Sequence, residues 1–246
     1  MISPPIADGL NEKQRQSVTL SEDINALILA GAGSGKTRVL THRIQYLVSE
    51  KNHHTDDILA VTFTNKAANE MKERLMELLY QPIGRMWVGT FHSLAHRLIR
   101  THAIEANLAP TFQILDAQDQ FRIIKRLMKE NAIDESKFPI RKVQWFINQQ
   151  KDEGIKPQDI DVGYNFFVKQ SAKIFDLYER HCQANDLVDF AGLLVKSYEL
   201  LKDNQKLLEH YQNKFKHILV DEFQDTNRIQ YQFIKILHNE SNHIFC

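Results

Sequence analysis

The first ninety residues alternate short apolar runs with segments in which apolar residues recur every three to four positions. The runs have the length and composition of buried strands and lie at 24–29, 58–63 and 86–90. The periodic segments have the spacing of helices and lie at 37–50, 65–79 and 93–106. Asn65 is the expected N-cap of the second of these helices. Strands and helices that alternate in this way predict a parallel sheet with right-handed crossovers.

The middle of the chain has a different pattern. From 116 to 212 it contains no convincing strand and carries apolar stripes at helical spacing. One of the predicted helices, 190–201, follows Asp189, which is its expected N-cap. A strand, a helix and a strand are then predicted at 217–221, 228–238 and 243–246.

Composition excludes several classes of protein. The 246 residues include 31 basic and 31 acidic side chains, and 43% are hydrophobic, as in an ordinary globular chain. No apolar run approaches the ~20 residues that span a bilayer, and the start of the chain carries no secretory signal, so we expect no membrane association. Two cysteines, Cys182 and Cys246, are too few for a disulfide framework or a cysteine zinc site, which favours a cytoplasmic location.

The zero net charge at first argues against a nucleic-acid-binding protein. The charges are segregated along the chain, however. Residues 78–104 contain no acidic side chain but include Arg85, Arg97 and Arg100. A neutral total can therefore hide a basic track, and binding of nucleic acid there should weaken with salt.

Residues 30–37 read Ala-Gly-Ala-Gly-Ser-Gly-Lys-Thr and lie between a predicted strand and a predicted helix. Apart from Ala30, this is the phosphate-binding pattern G-x-x-x-x-G-K-[ST], in which small residues let backbone N–H groups surround a phosphate. Lys36 would reach the β- and γ-phosphates of ATP, and the Thr37 hydroxyl would hold Mg²⁺. The bland alternative is a flexible Gly/Ser turn. The candidate nucleotide-binding residues of this loop are Ala32, Gly33, Ser34, Gly35, Lys36 and Thr37.

An acidic pair, Asp221 and Glu222, follows the apolar strand predicted at 217–221. Asp221 at the strand end could complete the Mg²⁺ shell with Thr37, and Glu222 could orient and deprotonate the attacking water. Lys36, Asp221 and Glu222 are therefore the candidate catalytic residues. The alternative interpretation is a solvated acidic turn after an edge strand.

Lys36 and Asp221 are 185 residues apart, which is long for two motifs of one compact sheet. A large insertion is the economical explanation. The sequence thus predicts an α/β parallel-sheet domain formed by 1–90 and 216–246, interrupted by an all-helical domain at 91–215.

Five motifs, in order, resemble those of the UvrD-type superfamily 1 DNA helicases. They are Leu10-Asn11-x-x-Gln14, the loop 30–37, Thr62-Phe-Thr-Asn-Lys-Ala-Ala68, Gly89-Thr-Phe-His92 and Asp221-Glu-Phe-Gln-Asp-Thr-Asn227. They span nearly the whole chain, and the family shares the alanine at position 30. The resemblance implies a RecA-like motor domain (1A) with a helical insertion (1B), and ATP-driven 3′ to 5′ translocation and unwinding of DNA in repair.

The resemblance also implies roles for single residues. Gln14 would hydrogen-bond the adenine edge and Arg38 would pack against the base. Single-stranded DNA would meet five residues: Phe63, Asn65, Thr90, His92 and Phe190. Implied partners are single-stranded DNA, junctions of single- and double-stranded DNA, and repair proteins. Because the second motor domain of the family is not in this sequence, we expect little ATPase activity and no unwinding from the chain alone.

Some alternatives remain open. Phe63 and Phe190 could be ordinary core residues. His92 and His96 share a helix face, but without a third ligand they are not predicted to bind metal. At the level of the protein, the alternatives are a non-motor phosphate-loop module that binds nucleotide or DNA, and the helicase part of a recombination nuclease of the RecB or AddA kind.

Overall fold

The computed structural model describes residues 9–31 and 33–246, so Ala32 lies outside the described residues. The strands within them are β1 (Ile58–Thr62), β2 (Trp87–Thr90), β3 (Gln113–Leu115), β4 (Leu187–Asp189), β5 (His217–Val220) and β6 (His243–Phe245). The first helices are α1 (Glu12–Val18), α2 (Lys36–Ser49), α3 (Asn65–Leu79), α4 (Phe91–Thr101) and α5 (Ala117–Glu130). The others are α6 (Ile140–Asp152), α7 (Phe166–Ala184), α8 (Phe190–Asp203), α9 (Gln205–Lys214) and α10 (Arg228–Leu237).

A four-stranded parallel sheet in the order β2-β1-β5-β6 forms the first layer of the fold. Every residue of β1, β2 and β5 is buried, which explains why these strands are apolar along their whole length rather than at alternate positions. Val61 of β1 is in register with Gly89 of β2 and Val220 of β5, so the carboxyl ends of the three strands lie side by side. The predicted α/β class with a parallel sheet is confirmed.

The run 24–29 is not the buried strand that its composition predicts. Its backbone hydrogen-bonds to the β6 segment, but only Ala26 and Phe245 form a regular bridge. The side chains of Leu27 and Leu29 are 61% and 85% exposed. The prediction was wrong because an apolar composition does not bury a segment by itself. Burial also requires a second element that covers the side chains, and none among the described residues covers Leu27 and Leu29.

Helix ends follow the local capping chemistry. The cap of α3 is Thr64, not Asn65: the Thr64 side chain accepts a hydrogen bond from the Ala67 N–H, and Asn65 is already helical. Asp189 caps α8 as predicted, accepting from the Gly192 N–H. The helix predicted at 93–106 is α4, which begins and ends earlier. None of the helices that the structure describes is long and apolar enough to cross a membrane.

The chain divides into two compact units, each built from separate segments. Within the described residues, the first unit runs to Leu94 and includes Gln205–Thr226 and Ile234–Cys246. The second contains Ala95–Asn204 and Asn227–Phe233. The boundaries drawn from the sequence, at 90/91 and 215/216, remain a prediction about domains.

The second unit is mostly helical, with a core in which α5, α6 and α7 pack against one another. It is not wholly helical, since β3 and β4 form a two-stranded parallel sheet with Leu115 in register with Asp189. Strands of three residues are too short to show an alternating pattern, and their pairing depends on contacts distant in sequence. The Asp186 carbonyl, for instance, accepts the Gln113 N–H.

Candidate active site

The phosphate-loop candidate ends in the first turn of α2. Gly33 and Gly35 have backbone φ angles of 74° and 84°, which residues other than glycine rarely adopt. A Cβ at Gly31 or Gly33 would meet none of the described atoms within 4 Å, so each of these two glycines faces open space. Gly35 is the N-cap of α2 and offers no side-chain acceptor to the first N–H groups of the helix. Those donors, together with the helix dipole, suit an anion.

The Thr37 hydroxyl donates a hydrogen bond of 3.0 Å to an Asp221 carboxylate oxygen. Thr37 lies in the first turn of α2, and Asp221 directly follows β5, where its N–H bonds to the carbonyl of Val61. Asp221 is only 5% exposed. Burial raises the pKa of this carboxyl above its ordinary value; the Thr37 hydrogen bond opposes the rise and Glu222 adds to it. The two candidate metal ligands of the sequence are thus brought together.

Lys36 and Glu222 form the second pair of this site. The Lys36 ammonium lies 3.7 Å from a Glu222 carboxylate oxygen and donates a 3.3 Å hydrogen bond to the Ala30 carbonyl. Glu222 has a left-handed backbone, with φ of 50°, which costs a non-glycine residue strain energy. Strain of this kind persists only where the surrounding contacts hold the backbone in that conformation.

Gln14 joins α1 to the phosphate-loop candidate. Its side-chain carbonyl accepts the Asn11 N–H at 3.0 Å, while its amide group donates to the Ser34 carbonyl at 2.9 Å. The Asn11 side chain in turn accepts the Gln14 N–H, which completes a reciprocal capping box. Gln14 is therefore held beside the loop through both ends of its amide.

A cavity of about 930 Å³ surrounds the loop and the acidic pair. Its lining residues are 27–30, 33, 35–40, 74, 220–224 and 245–246. It contains the candidates Lys36, Thr37, Arg38, Asp221 and Glu222 in one space of nucleotide size. Arg74 of α3 also lines the cavity. Its local sequence pattern does not distinguish it from an exposed helical arginine, so the sequence did not predict this position.

Four of the DNA candidates lie at the carboxyl ends of two neighbouring strands. Thr62, the last residue of β1, is in register with Thr90, the last residue of β2. Phe63 and Asn65 come after β1, and His92 comes after β2. Asn65 is exposed and Phe63 is half-buried. The ring of Phe63 meets that of Phe91 edge-on, with 5.6 Å between centroids.

Two of these four residues are less accessible than the sequence suggested. Thr90 is buried and its hydroxyl accepts the Ser93 N–H, so it also serves the turn into α4. His92 is partly buried, and this burial lowers the pKa of its imidazole. Phe190, the fifth candidate, belongs to the second unit, where it is the first residue of α8 and 59% exposed. Neither Phe63 nor Phe190 is a fully buried core residue.

Within the described part of the chain, no group of three or more His, Cys, Asp or Glu residues is arranged to hold a metal ion. His96 instead accepts a hydrogen bond from Arg100. A cation site formed by Thr37 and Asp221 would need further ligands from a bound molecule or from water.

Comparison with known proteins decides the family. Residues 10–246 match the UvrD/REP helicase N-terminal domain. The chain belongs to this family. It is 50% identical over 244 residues to DNA helicase II of Haemophilus influenzae and 49% identical over 239 residues to DNA helicase II of Escherichia coli. It is 40% identical over 237 residues to the ATP-dependent DNA helicase PcrA of Bacillus subtilis.

These alignments cover 97%, 97% and 96% of this chain, but only 33%, 33% and 32% of the three relatives. The chain therefore spans about a third of the length of the UvrD/REP helicases it matches. The resemblance drawn from the five motifs is confirmed at the level of the family. The roles of single residues within this UvrD/REP domain remain predictions that rest on the geometry described above.

Proposed function

We propose that this chain is the ATP- and single-stranded-DNA-binding part of an ATP-dependent 3′ to 5′ DNA helicase. The observation that carries the proposal is the 3.0 Å contact between Thr37 and Asp221, with Lys36 and Glu222 beside it in one cavity. The names of the relatives, DNA helicase II and ATP-dependent DNA helicase PcrA, support the same activity. The same names favour a helicase of this kind over the helicase part of a recombination nuclease.

ATP would bind with its phosphates against the first turn of α2. The N–H groups there have no side-chain cap, and Lys36 supplies a positive charge at the same end of the helix. In the structure Lys36 is engaged with Ala30 and Glu222, so the ammonium must exchange these partners for phosphate oxygens when nucleotide binds. Glu222 is then released to act on water.

Thr37 and Asp221 fit a magnesium ion. A hydroxyl and a carboxylate are hard oxygen ligands, and Mg²⁺ bound with ATP usually takes only one or two protein ligands. The buried Asp221 carboxylate, with its raised pKa, is the kind of group that a nearby cation stabilises in its charged form. When bound, Mg²⁺ would neutralise charge on the β- and γ-phosphates.

Glu222 is the best-placed candidate for general base. Its partly exposed side chain lines the cavity and lies beside Lys36, where the γ-phosphate is proposed to bind. A carboxylate there can accept a proton from a water molecule aligned for attack on the phosphorus. Gln224 donates a hydrogen bond to Glu222 and so helps to hold this carboxylate in place.

Single-stranded DNA would contact the carboxyl ends of β1 and β2 in the first unit, and Phe190 in the second. Ligands of parallel α/β sheets bind at the carboxyl ends of the strands. The aromatic faces of Phe63 and Phe190 can stack on bases of any sequence, as a translocating protein requires. Junctions of single- and double-stranded DNA and repair proteins are further proposed partners, in the cytoplasm.

The chain by itself should bind ATP but hydrolyse it slowly. In phosphoryl transfer, an arginine that stabilises the transition state contributes ~10³–10⁵ in rate, and the resemblance assigns such arginines to a second motor domain. We therefore expect the 246-residue chain to bind ATP and DNA without unwinding.

Coupled binding distinguishes a motor part from a passive module. We would titrate fluorescein-labelled oligodeoxythymidine with the chain, in the absence and presence of a non-hydrolysable ATP analogue and Mg²⁺. A motor part predicts that the nucleotide changes DNA affinity, and by linkage that DNA changes nucleotide affinity by the same factor. Independent binding of the two ligands would favour the non-motor module, and absence of nucleotide binding would contradict both.

A further inference from the structure

A buried polar cluster in the second unit converges on one carboxylate, that of Asp189. One of its oxygens receives the Lys151 ammonium at 2.7 Å, the Tyr178 hydroxyl at 2.7 Å and the Gln120 amide at 3.0 Å. Its other oxygen accepts the Gly192 N–H at 2.7 Å. Lys151, Tyr178 and Gln120 belong to α6, α7 and α5, so three helices supply donors to a single side chain.

The cluster is fully buried and charged. Asp189 is 3% exposed, and the Lys151 ammonium has a second carboxylate partner, Glu179, at 2.7 Å. Burial alone would raise the pKa of Asp189, but the Lys151 charge and the hydrogen bonds hold it below its ordinary value. Asp189 is therefore an anion that is bound on every side by donors.

Stability alone is a weak explanation for such a cluster. Replacing a buried ion pair by well-packed apolar residues is often neutral or stabilising, so a retained pair is better explained by what it positions. Close packing around the carboxylate points the same way: a Cβ at Gly192 would lie 2.8 Å from an Asp189 oxygen. The backbone of α8 approaches Asp189 as closely as it does because position 192 lacks a side chain.

What this carboxylate positions is the first turn of α8. Asp189 is the last residue of β4 and the N-cap of α8, and the next residue is Phe190. The first N–H groups of a helix have no partner within it, so the geometry of that turn depends on its cap. Asp189 points into the unit while the neighbouring Phe190 is 59% exposed.

We propose that Asp189, held by Lys151, Tyr178 and Gln120, is a positioning residue that presents the Phe190 ring for stacking on a base of single-stranded DNA. This inference rests on the proposed function, in which Phe190 touches DNA. The three donor residues influence DNA affinity without contacting DNA themselves.

The test is a double-mutant cycle between Tyr178 and Phe190 in the full 246-residue chain. Tyr178→Phe removes one donor to Asp189 and keeps both the ring and the ion pair. The probe is oligodeoxythymidine carrying one 2-aminopurine, whose fluorescence reports stacking, and affinity is measured over a range of salt. We expect Phe190→Ala to weaken binding about tenfold and Tyr178→Phe to weaken it about threefold. In the Phe190→Ala background, Tyr178→Phe should have no further effect.

Two controls separate positioning from a general loss of stability. Ile174→Val lies one turn before Tyr178 on α7 and removes a methyl group from the fully buried core. It should lower Tm but leave DNA affinity unchanged. The salt dependence of binding should be the same in Tyr178→Phe as in the natural chain, because no phosphate contact is lost. If Tyr178→Phe does not fold, Asp189→Asn, which can still cap α8, takes its place in the cycle.

The outcomes distinguish the proposed contact of Phe190 with DNA from the proposed positioning role of Asp189. If Phe190→Ala leaves affinity and 2-aminopurine fluorescence unchanged, the proposed role of Phe190 in DNA binding is wrong. If Phe190→Ala weakens binding but Tyr178→Phe and Asp189→Asn do not, only the positioning role is overturned. Additive effects of the Tyr178 and Phe190 changes would likewise contradict it.

Discussion

Thr37 and Asp221 are hydrogen-bonded at 3.0 Å although 184 residues separate them in sequence. The contact arises because β6 pairs with β5 on one side and hydrogen-bonds to the run 24–29 on the other. That run leads into the loop, so the first turn of α2 and the end of β5 lie at the same edge of the sheet. Each half of the candidate site is incomplete alone: the loop has no acid and the acid has no phosphate cradle. Changes on either side should therefore affect nucleotide binding.

Lys36→Ala should abolish detectable ATP binding and leave the fold intact. Lys36 carries the charge that is assigned to the phosphates, while its contacts with Ala30 and Glu222 are partly exposed and add little stability. Isothermal titration with ATP and Mg²⁺ measures the first effect, and circular dichroism the second. Lys51→Ala, just beyond the other end of α2, is the matched control and should bind normally. Unchanged titration of Lys36→Ala would contradict the loop assignment.

Asp221→Asn should stabilise the nucleotide-free chain while it weakens Mg²⁺-dependent ATP binding. Burial raises the pKa of the Asp221 carboxyl, so above that pKa the charged form costs folding free energy, which the amide does not. We expect a Tm higher by a few degrees at neutral pH. The difference should shrink as the pH falls and Asp221 takes up a proton. A lower Tm at neutral pH would show that the carboxylate is already compensated by its neighbours.

Gln14→Ala should reduce discrimination between ATP and GTP more than it reduces ATP affinity. The Gln14 amide is held beside the loop by Asn11 and Ser34, where it could donate to and accept from an adenine edge. Competition between the two nucleotides for the chain measures the ratio directly. Gln16→Ala, exposed on the same helix, is the control. Equal loss of affinity for both nucleotides would assign Gln14 to loop structure rather than to the base.

His217 should make the chain labile to mild acid. Burial, with the neighbouring His53, Arg43 and His243, lowers the pKa of His217 to about 3. The unfolded chain takes up this proton below pH 6.5 and the folded chain does not until about pH 3, so stability is intact above pH 6.5 and falls below it. At pH 5 this one group costs about 2 kcal/mol.

The measurement is urea unfolding as a function of pH. His217→Gln should show a shallower fall in stability between neutral pH and pH 5. His210→Gln, at an exposed position of α9, should keep the slope of the natural chain. An unaltered slope in His217→Gln would mean that other groups dominate the acid response.

Phe63→Ala should weaken binding of single-stranded DNA to a similar extent for different sequences. Stacking contributes about 1–3 kcal/mol per base and is tolerant of sequence. Phe63→Leu keeps apolar contact with Phe91 but loses the flat face, and so separates stacking from packing. Fluorescence anisotropy with oligodeoxythymidine and oligodeoxyadenosine measures both. If Phe63→Leu binds like the natural chain, Phe63 is a packing residue.

Motifs and periodicity predicted the parts of this fold that depend on local chemistry. The spacing of small residues before Lys36 and the apolar strand before Asp221 were enough to place both at one end of a parallel sheet. Asp189 was recognisable as a cap because capping depends on residues one turn apart.

The features that the sequence did not reveal depend on contacts distant along the chain. Nothing near Lys151 indicates that its charge is buried, since burial requires carboxylates contributed by α7 and β4. Leu29 has an apolar side chain of the kind found in protein cores, but this side chain is exposed to solvent. The reach of Gln14 to Ser34 spans 20 residues, and only the folded structure brings the two together.

Gly35 lies between the proposed phosphate site and the proposed base site. Its φ of 84° permits the turn into α2, and a Cβ there would lie 2.9 Å from the Gln14 amide nitrogen and 3.8 Å from the Cβ of Arg38. A side chain at position 35 would thus be strained at this φ and would displace the Gln14 amide, whereas its contact with Arg38 would be an ordinary one. The proposed contacts to the base and to the phosphates are therefore coupled through position 35, and an engineered change of nucleotide preference has to redesign residues 14 and 35 together.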